Sequence, residues 1–228
     1  AKVALIARNR RRLERLCARF PEEAETLVCS ADVSSAYDLV EARDKVLEEL
    51  GAPDLVITAA GVRRAANFDE AIPADWRRML ATNLRGTLQT VQTFSPDVLA
   101  AGERGDRADI VMLSSAPARE RQHAYSVFSS LGASLGQFSK HLRAEYGLRG
   151  VRVHYFDSIY TGGSFFTQGN LGSNRATSDH HDVIQGPLPE LESIAIDTAH
   201  VAEEVGFAAS LPAHVNMASA TILPLEGN

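Results

Sequence analysis

Cysteine is scarce in this chain, with two residues in 228, and so is tryptophan, with one. Cys17 and Cys29 lack the paired spacing of a metal cluster, which argues against a zinc module or a disulfide-stapled scaffold and fits two reduced thiols. Long apolar runs are lacking too. None reaches the roughly 18 residues that a membrane-spanning helix needs, and no signal-peptide pattern opens the chain, so a cytoplasmic location is expected. Positive charge is in the minority, 23 Lys and Arg against 29 Asp and Glu, for a formal net charge of -6. A broad basic surface for nucleic acid or anionic lipid is therefore not expected. The one basic cluster, Arg8, Arg10, Arg11, Arg12 and Arg15, reads either as a solvated helix face or, at Arg8, as a phosphate contact.

What is present fits one globular domain over residues 1–228, with 45% hydrophobic and 23% charged residues. Residues 2–7 form a short apolar run, followed by Leu13, Leu16 and Phe20 at helical spacing, the signature of a strand entering an amphipathic helix. The same alternation continues: strands over 26–29, 54–59, 109–113, 151–156 and 220–223, and helices over 36–50, 73–101, 125–146 and 198–210. Buried strands alternating with helices predict an α/β fold, a doubly wound parallel sheet with helices on both faces. The stretch 160–189, rich in Gly, Ser, Asn and His, reads as a lid, a binding loop or a disordered segment.

In such a sheet, ligands bind beyond the carboxyl ends of the strands, so the residues there carry the functional signal. They include Arg8 after the first strand, Asp32-Val33 after the second, Thr58-Ala59-Ala60-Gly61 after the third and Ser114-Ser115 after the fourth. Asp75-Trp76, Thr82-Asn83-Leu84, Tyr125 at a helix start and Gly150-Val151-Arg152-Val153-His154 complete a collinear series. Together these segments resemble the short-chain dehydrogenase/reductase family over nearly the whole chain. The resemblance implies a Rossmann-type fold and assigns roles by position. Arg8 would meet the 2′-phosphate of NADP(H), favoured over NAD(H), because an Arg fork pairs with a phosphate dianion. Asp32 and Val33 would flank the adenine, although Asp32 also reads as a helix N-cap. Ala59, Ala60 and Gly61 would let backbone approach the cofactor, and Thr161 would bond it. Asn83 would interrupt its helix and serve a proton relay, Ser115 would orient the substrate oxygen, and Tyr125 would act as acid/base.

The departures are equally specific. The glycine-rich turn that opens such domains, which would cradle a pyrophosphate, is not in this sequence. The chain begins at Ala1 as if already inside a domain, so either this sequence lacks about one βα unit of a longer protein, the reading favoured because a lost central strand would expose its neighbours, or the protein has lost that unit. The family's Tyr-x-x-x-Lys pair is here Tyr125 and Ser129. A serine can still bond a ribose but brings no positive charge to the phenol. Arg121 and His123 are candidate replacements, whereas Lys140 is too far along the helix. Ser115 precedes Tyr125 by ten positions, about three fewer than the family's usual spacing. Asp157-Ser158, expected just beyond a strand, replaces a Pro-Gly pair. Arg63, Arg64, Phe165, Phe166, His180 and His181 are candidate pocket residues.

The expected function is an NADP(H)-dependent oxidoreductase interconverting a carbonyl and an alcohol on a small molecule. The alternatives are a catalytically silent binding or partner subunit, and a non-redox lyase or isomerase. A homodimer or homotetramer in contact through helices 73–101 and 125–146 is the assembly implied, with no metal, nucleic acid or membrane partner.

Overall fold

The computed structural model describes residues 1–114, 124–158 and 196–223. Six parallel strands form two blocks. In the first, β1 (Lys2–Ala7) pairs with β2 (Glu25–Ser30). The second has the order β3-β4-β5-β6, with β3 Leu55–Thr58, β4 Asp109–Ser114, β5 Arg152–Ser158 and β6 Ser219–Ile222. Crossover helices explain the parallel pairing, since parallel strands cannot be joined by a hairpin. They are α1 (Arg10–Cys17), α2 (Ala36–Glu49), α3 (Pro73–Met79), α4 (Gly86–Glu103), α5 (Ser126–Gly147) and α6 (Thr198–Ser210).

Three of the helices, α1, α2 and α6, begin where short polar side chains accept orphan backbone N–H groups. Asn9 accepts from Arg12 N at 3.0 Å, Ser35 from Asp38 N at 3.2 Å, and Asp197 from Ala199 N at 2.9 Å. Asp32 is therefore not the N-cap of α2. Its Oδ1 instead accepts from Ser34 N at 2.8 Å and Ser34 Oγ at 2.7 Å, a closed local turn. Gly51, with φ +89°, takes the left-handed conformation that ends α2.

Alternation along the strands sends side chains to two cores. Ile110 and Met112 of β4, with Val153 and Tyr155 of β5, pack beneath Val91, Val98, Leu135 and Leu142 of α4 and α5. The intervening residues Val111 and Phe156 face Val205 and Ala208 of α6, so helices cover both faces. The fold is the α/β Rossmann-type arrangement that the sequence predicts. Cys29, buried against Ala42 and Val46 of α2, and Cys17 are both free thiols. No helix among the described residues is long and apolar enough to cross a membrane.

Two elements depart from expectation. The single helix expected over 73–101 is interrupted by a π-helical turn, Leu80–Arg85, centred on Asn83. Asp157 and Ser158 lie inside β5 rather than beyond it, because pairing with Ser114 of β4 and with Thr221 and Ile222 of β6 extends the strand.

The far end of the second block is bolted by a buried charge cluster. Arg152 donates Nε and Nη2 to the two carboxylate oxygens of Asp109 at 2.7 and 2.8 Å. His154 Nε2 lies 2.9 Å from Asp109 Oδ1, and its Nδ1 lies 2.9 Å from the Met217 carbonyl. The Arg152 guanidinium also reaches the carbonyls of Ala209 and Leu211, at 3.1 and 2.8 Å, where α6 ends. Burial alone would raise the Asp109 carboxyl, but hydrogen bonds from His154 and Arg152 outweigh it and hold the group below the usual carboxylate range. Removing one partner of such a pair strands the others, so Asp109→Asn should cost about 3–5 kcal/mol in urea unfolding at neutral pH. The depressed folded-state value also fixes the acid dependence. Asp109 contributes its full stabilisation above the ordinary carboxylate range and loses it as pH falls through the folded value, a dependence the Asn variant should lack.

Candidate active site

The carboxyl ends of β3, β4 and β5, with facing turns of α5 and α6, enclose a cavity of about 290 Å³. This is where an open parallel sheet places ligands. β3 exits into Ala59, Ala60 and Gly61, whose small side chains leave the wall open, and Ser114 and Ser158 bring hydroxyls from β4 and β5. Thr198, Val201 and Ala202 close the α6 side. The remaining wall is apolar except for Asn83, Thr87 and Arg63.

Asn83 is buried and fully engaged. Its Oδ1 accepts from Val62 N and its Nδ2 donates to Val62 O, each at 2.8 Å, while its own carbonyl accepts from Thr87 Oγ1 at 2.7 Å. The amide thus reads the backbone just after Gly61, and the π turn is the distortion that brings it there. Expected as a relay residue, Asn83 has its side chain committed to holding the loop that lines the cavity. The π turn also supports the second candidate cluster. A Cβ at Gly86 would lie 2.7 Å from Val33 Cγ2, and Arg85 Nη2 donates to Ser34 O at 3.2 Å, so the Asp32-Val33 loop leans on the end of the π turn. Arg8 is exposed at the end of β1, its carbonyl accepting from Ser30 Oγ at 3.1 Å.

Tyr125 caps the start of α5 and is half-buried. Arg63 Nη2 donates to its hydroxyl at 3.1 Å, and the guanidinium carbon sits 4.5 Å from the ring centroid. Arg63 is itself buried, stacks 5.9 Å from the Phe128 ring and lines the cavity. From α5 the cavity takes Phe128, Leu131, Gly132 and Leu135; Tyr125 and Ser129 stand three positions before Phe128 and Gly132 and are not among the lining residues. That offset equals the three-residue shortening between Ser115 and Tyr125. Sequence reasoning missed this stripe, although spacings of three, four and seven from Phe128 mark one helix face. Arg64 does not line the cavity; its side chain lies 3.8 Å from Asp75. Ser115, Thr161, Arg121, His123, Phe165, Phe166, His180, His181 and the stretch 160–189 lie outside the described residues.

The donor set suits a dinucleotide. A guanidinium stands at the end of β1, a carboxylate and a β-branched side chain follow β2, and a small-residue wall follows β3. Among the described residues no group of three or more His, Cys, Asp or Glu is gathered for a metal ion.

Comparison with known proteins identifies the family. The family profile described as short chain dehydrogenase matches residues 1–168. An uncharacterized oxidoreductase of Staphylococcus epidermidis is 23% identical over 229 residues, covering 99% of this chain and 87% of that protein. An alcohol dehydrogenase from Thermococcus sibiricus, solved with 5-hydroxy-NADP, superposes with a TM-score of 0.81 at 20% identity, covering 99% of this chain and 86% of that one. The closed form of a serine dehydrogenase complexed with NADP+ gives 0.82 at 22% identity, covering 98% and 85%.

The Asn83 contact predicts a graded response. Asn83→Leu leaves the buried Val62 N–H and C=O without their partner and should cost on the order of 2–4 kcal/mol in denaturant unfolding. Asn83→Asp keeps the acceptor but turns a buried carboxylate oxygen toward the Val62 carbonyl, so it should cost at least as much at neutral pH and less once acid protonates it and restores a donor. An Asn83→Leu variant as stable as the wild type would show that shape, not the paired hydrogen bonds, holds the loop.

Proposed function

Because the chain belongs to the short chain dehydrogenase family, a family of oxidoreductases, we propose that it interconverts a carbonyl and an alcohol on a small molecule with NADP(H). The observation that carries this reading is the cavity at the ends of β3, β4 and β5, walled by Ala59-Ala60-Gly61 and held by Asn83. When bound, NADP(H) supplies or takes the hydride, and the protein provides position and a proton. In this reading Arg8 pairs with the 2′-phosphate, Asp32 and Val33 flank the adenine, and Ala59, Ala60 and Gly61 admit the rest of the dinucleotide. Ser129 and Thr161 bond it, Ser115 orients the substrate oxygen, and Tyr125 exchanges the proton. Neighbouring structures solved with NADP+ or an NADP derivative support the choice of cofactor class.

A second reading, a silent binding subunit, is favoured by one observation. The α5 residues lining the cavity, Phe128, Leu131, Gly132 and Leu135, carry neither a hydroxyl nor a charge.

Two experiments test the first reading. Arg8→Ala should weaken NADPH binding while leaving NADH nearly unchanged, as read by fluorescence titration of both. Equal losses would remove Arg8 from recognition of the 2′-phosphate. Tyr125→Phe keeps the ring's packing and should lower turnover of carbonyl substrates by about 10²–10⁴-fold, as for a lost general acid–base, with NADPH affinity retained. A Phe variant with undiminished turnover would remove Tyr125 from the chemistry, and a wild type that binds NADPH yet reduces no carbonyl would favour the silent reading.

A further inference from the structure

We propose that Arg63 is the positioning residue for Tyr125: its guanidinium supplies the positive charge that makes the Tyr125 hydroxyl a working acid/base. The inference rests on the carbonyl–alcohol reading above and extends it to a residue that Ser129 cannot replace.

Three observations converge. First, Arg63 and Tyr125 touch in two ways, through the 3.1 Å hydrogen bond and through the guanidinium lying over the ring at 4.5 Å. A guanidinium is always charged and only donates, so the phenolic oxygen must present a lone pair to it. As the Tyr125 proton leaves, the oxygen gains negative charge and that hydrogen bond becomes charge-assisted, stronger in the product of proton transfer than before it. Second, the pair is buried on the Arg63 side, only 6% exposed, where weak screening by solvent strengthens the interaction. Third, the backbone locks the two segments together. Ala66 N donates to Ala124 O at 2.8 Å, and Ala124 adopts φ 66°, in the left-handed region unusual for a residue with a Cβ. That geometry turns the chain into α5 directly beside the Arg63 segment. Such local strain persists where surrounding contacts over-determine it.

The proton step balances within the pair. In the reducing direction the Tyr125 O–H bond breaks and a bond forms between that proton and the substrate oxygen. The electron pair stays on the Tyr125 oxygen, which Arg63 stabilises, and bound NADPH would supply the hydride for the substrate carbon. A proton from solvent then restores the phenol. In the oxidising direction each transfer reverses.

The test compares Arg63→Gln, Tyr125→Phe, Ser129→Lys and their pairwise combinations for thermal unfolding and for kcat and KM with NADPH and a carbonyl panel. Arg63→Gln should lower kcat about 10–100-fold with KM changed less than threefold. Adding Ser129→Lys should restore at least tenfold in the Arg63→Gln background. The melting-temperature losses of Arg63→Gln and Tyr125→Phe should be less than additive, as expected for groups in contact. If Arg63→Gln does not fold, Arg63→Lys carries the test: keeping the charge, it should retain turnover within tenfold. Unchanged kcat in Arg63→Gln, or no rescue by Ser129→Lys, overturns the role of Arg63 while Tyr125→Phe still loses turnover. Full turnover in Tyr125→Phe overturns instead the reading on which the role rests.

Discussion

Asp109 is a carboxylate with almost no solvent, and the second sheet block is arranged so that it is never left alone. Arg152 grips both of its oxygens from the neighbouring strand while the same guanidinium reaches the carbonyls where α6 ends. His154 joins Asp109 to the Met217 carbonyl just ahead of β6. A buried charge must be paired and hydrogen-bonded or pay several kcal/mol, so this cluster fixes β4, β5, the end of α6 and the approach to β6 relative to one another. The cavity at the opposite ends of those strands inherits that rigidity, since α6 can present Thr198, Val201 and Ala202 only if its far end is held.

A comparable economy operates at the cavity itself. One side-chain amide, Asn83, satisfies both backbone groups of Val62, and the π turn that delivers it also braces the Asp32-Val33 loop through Gly86. The two places proposed to meet a dinucleotide, the small-residue wall after β3 and the loop after β2, are therefore coupled by one distorted turn. Arg43 of α2, paired with Asp97 of α4 at 2.6 Å, ties the first sheet block to the second by a separate route.

The acid/base question turns on a single helical turn. Tyr125 and Ser129 occupy the spacing of an acid/base pair, while Phe128, Leu131, Gly132 and Leu135 supply the stripe that faces the cavity. Arg63 bridges the two, being both a cavity wall and the partner of the Tyr125 hydroxyl. A loop residue followed by a second arginine thus acquires a position beside the Tyr125 hydroxyl, through a contact 62 residues apart in the chain.

Strand-helix alternation and apolar periodicity are local properties, which is why the α/β class and the element boundaries within a few residues were legible in the sequence alone. Ala59, Ala60 and Gly61 were singled out through their resemblance to a family segment at a strand exit, and all three line the cavity. Three features were decided only by tertiary structure. The π turn exists because Asn83 is drawn to Val62, the continuation of β5 through Asp157 and Ser158 exists because two neighbouring strands pair with it, and the pairing of Arg63 with Tyr125 exists because the start of α5 docks against the segment after β3. Each depends on contacts between residues distant in sequence, and a charge's partner cannot be read from the chain until folding has brought it within hydrogen-bond reach.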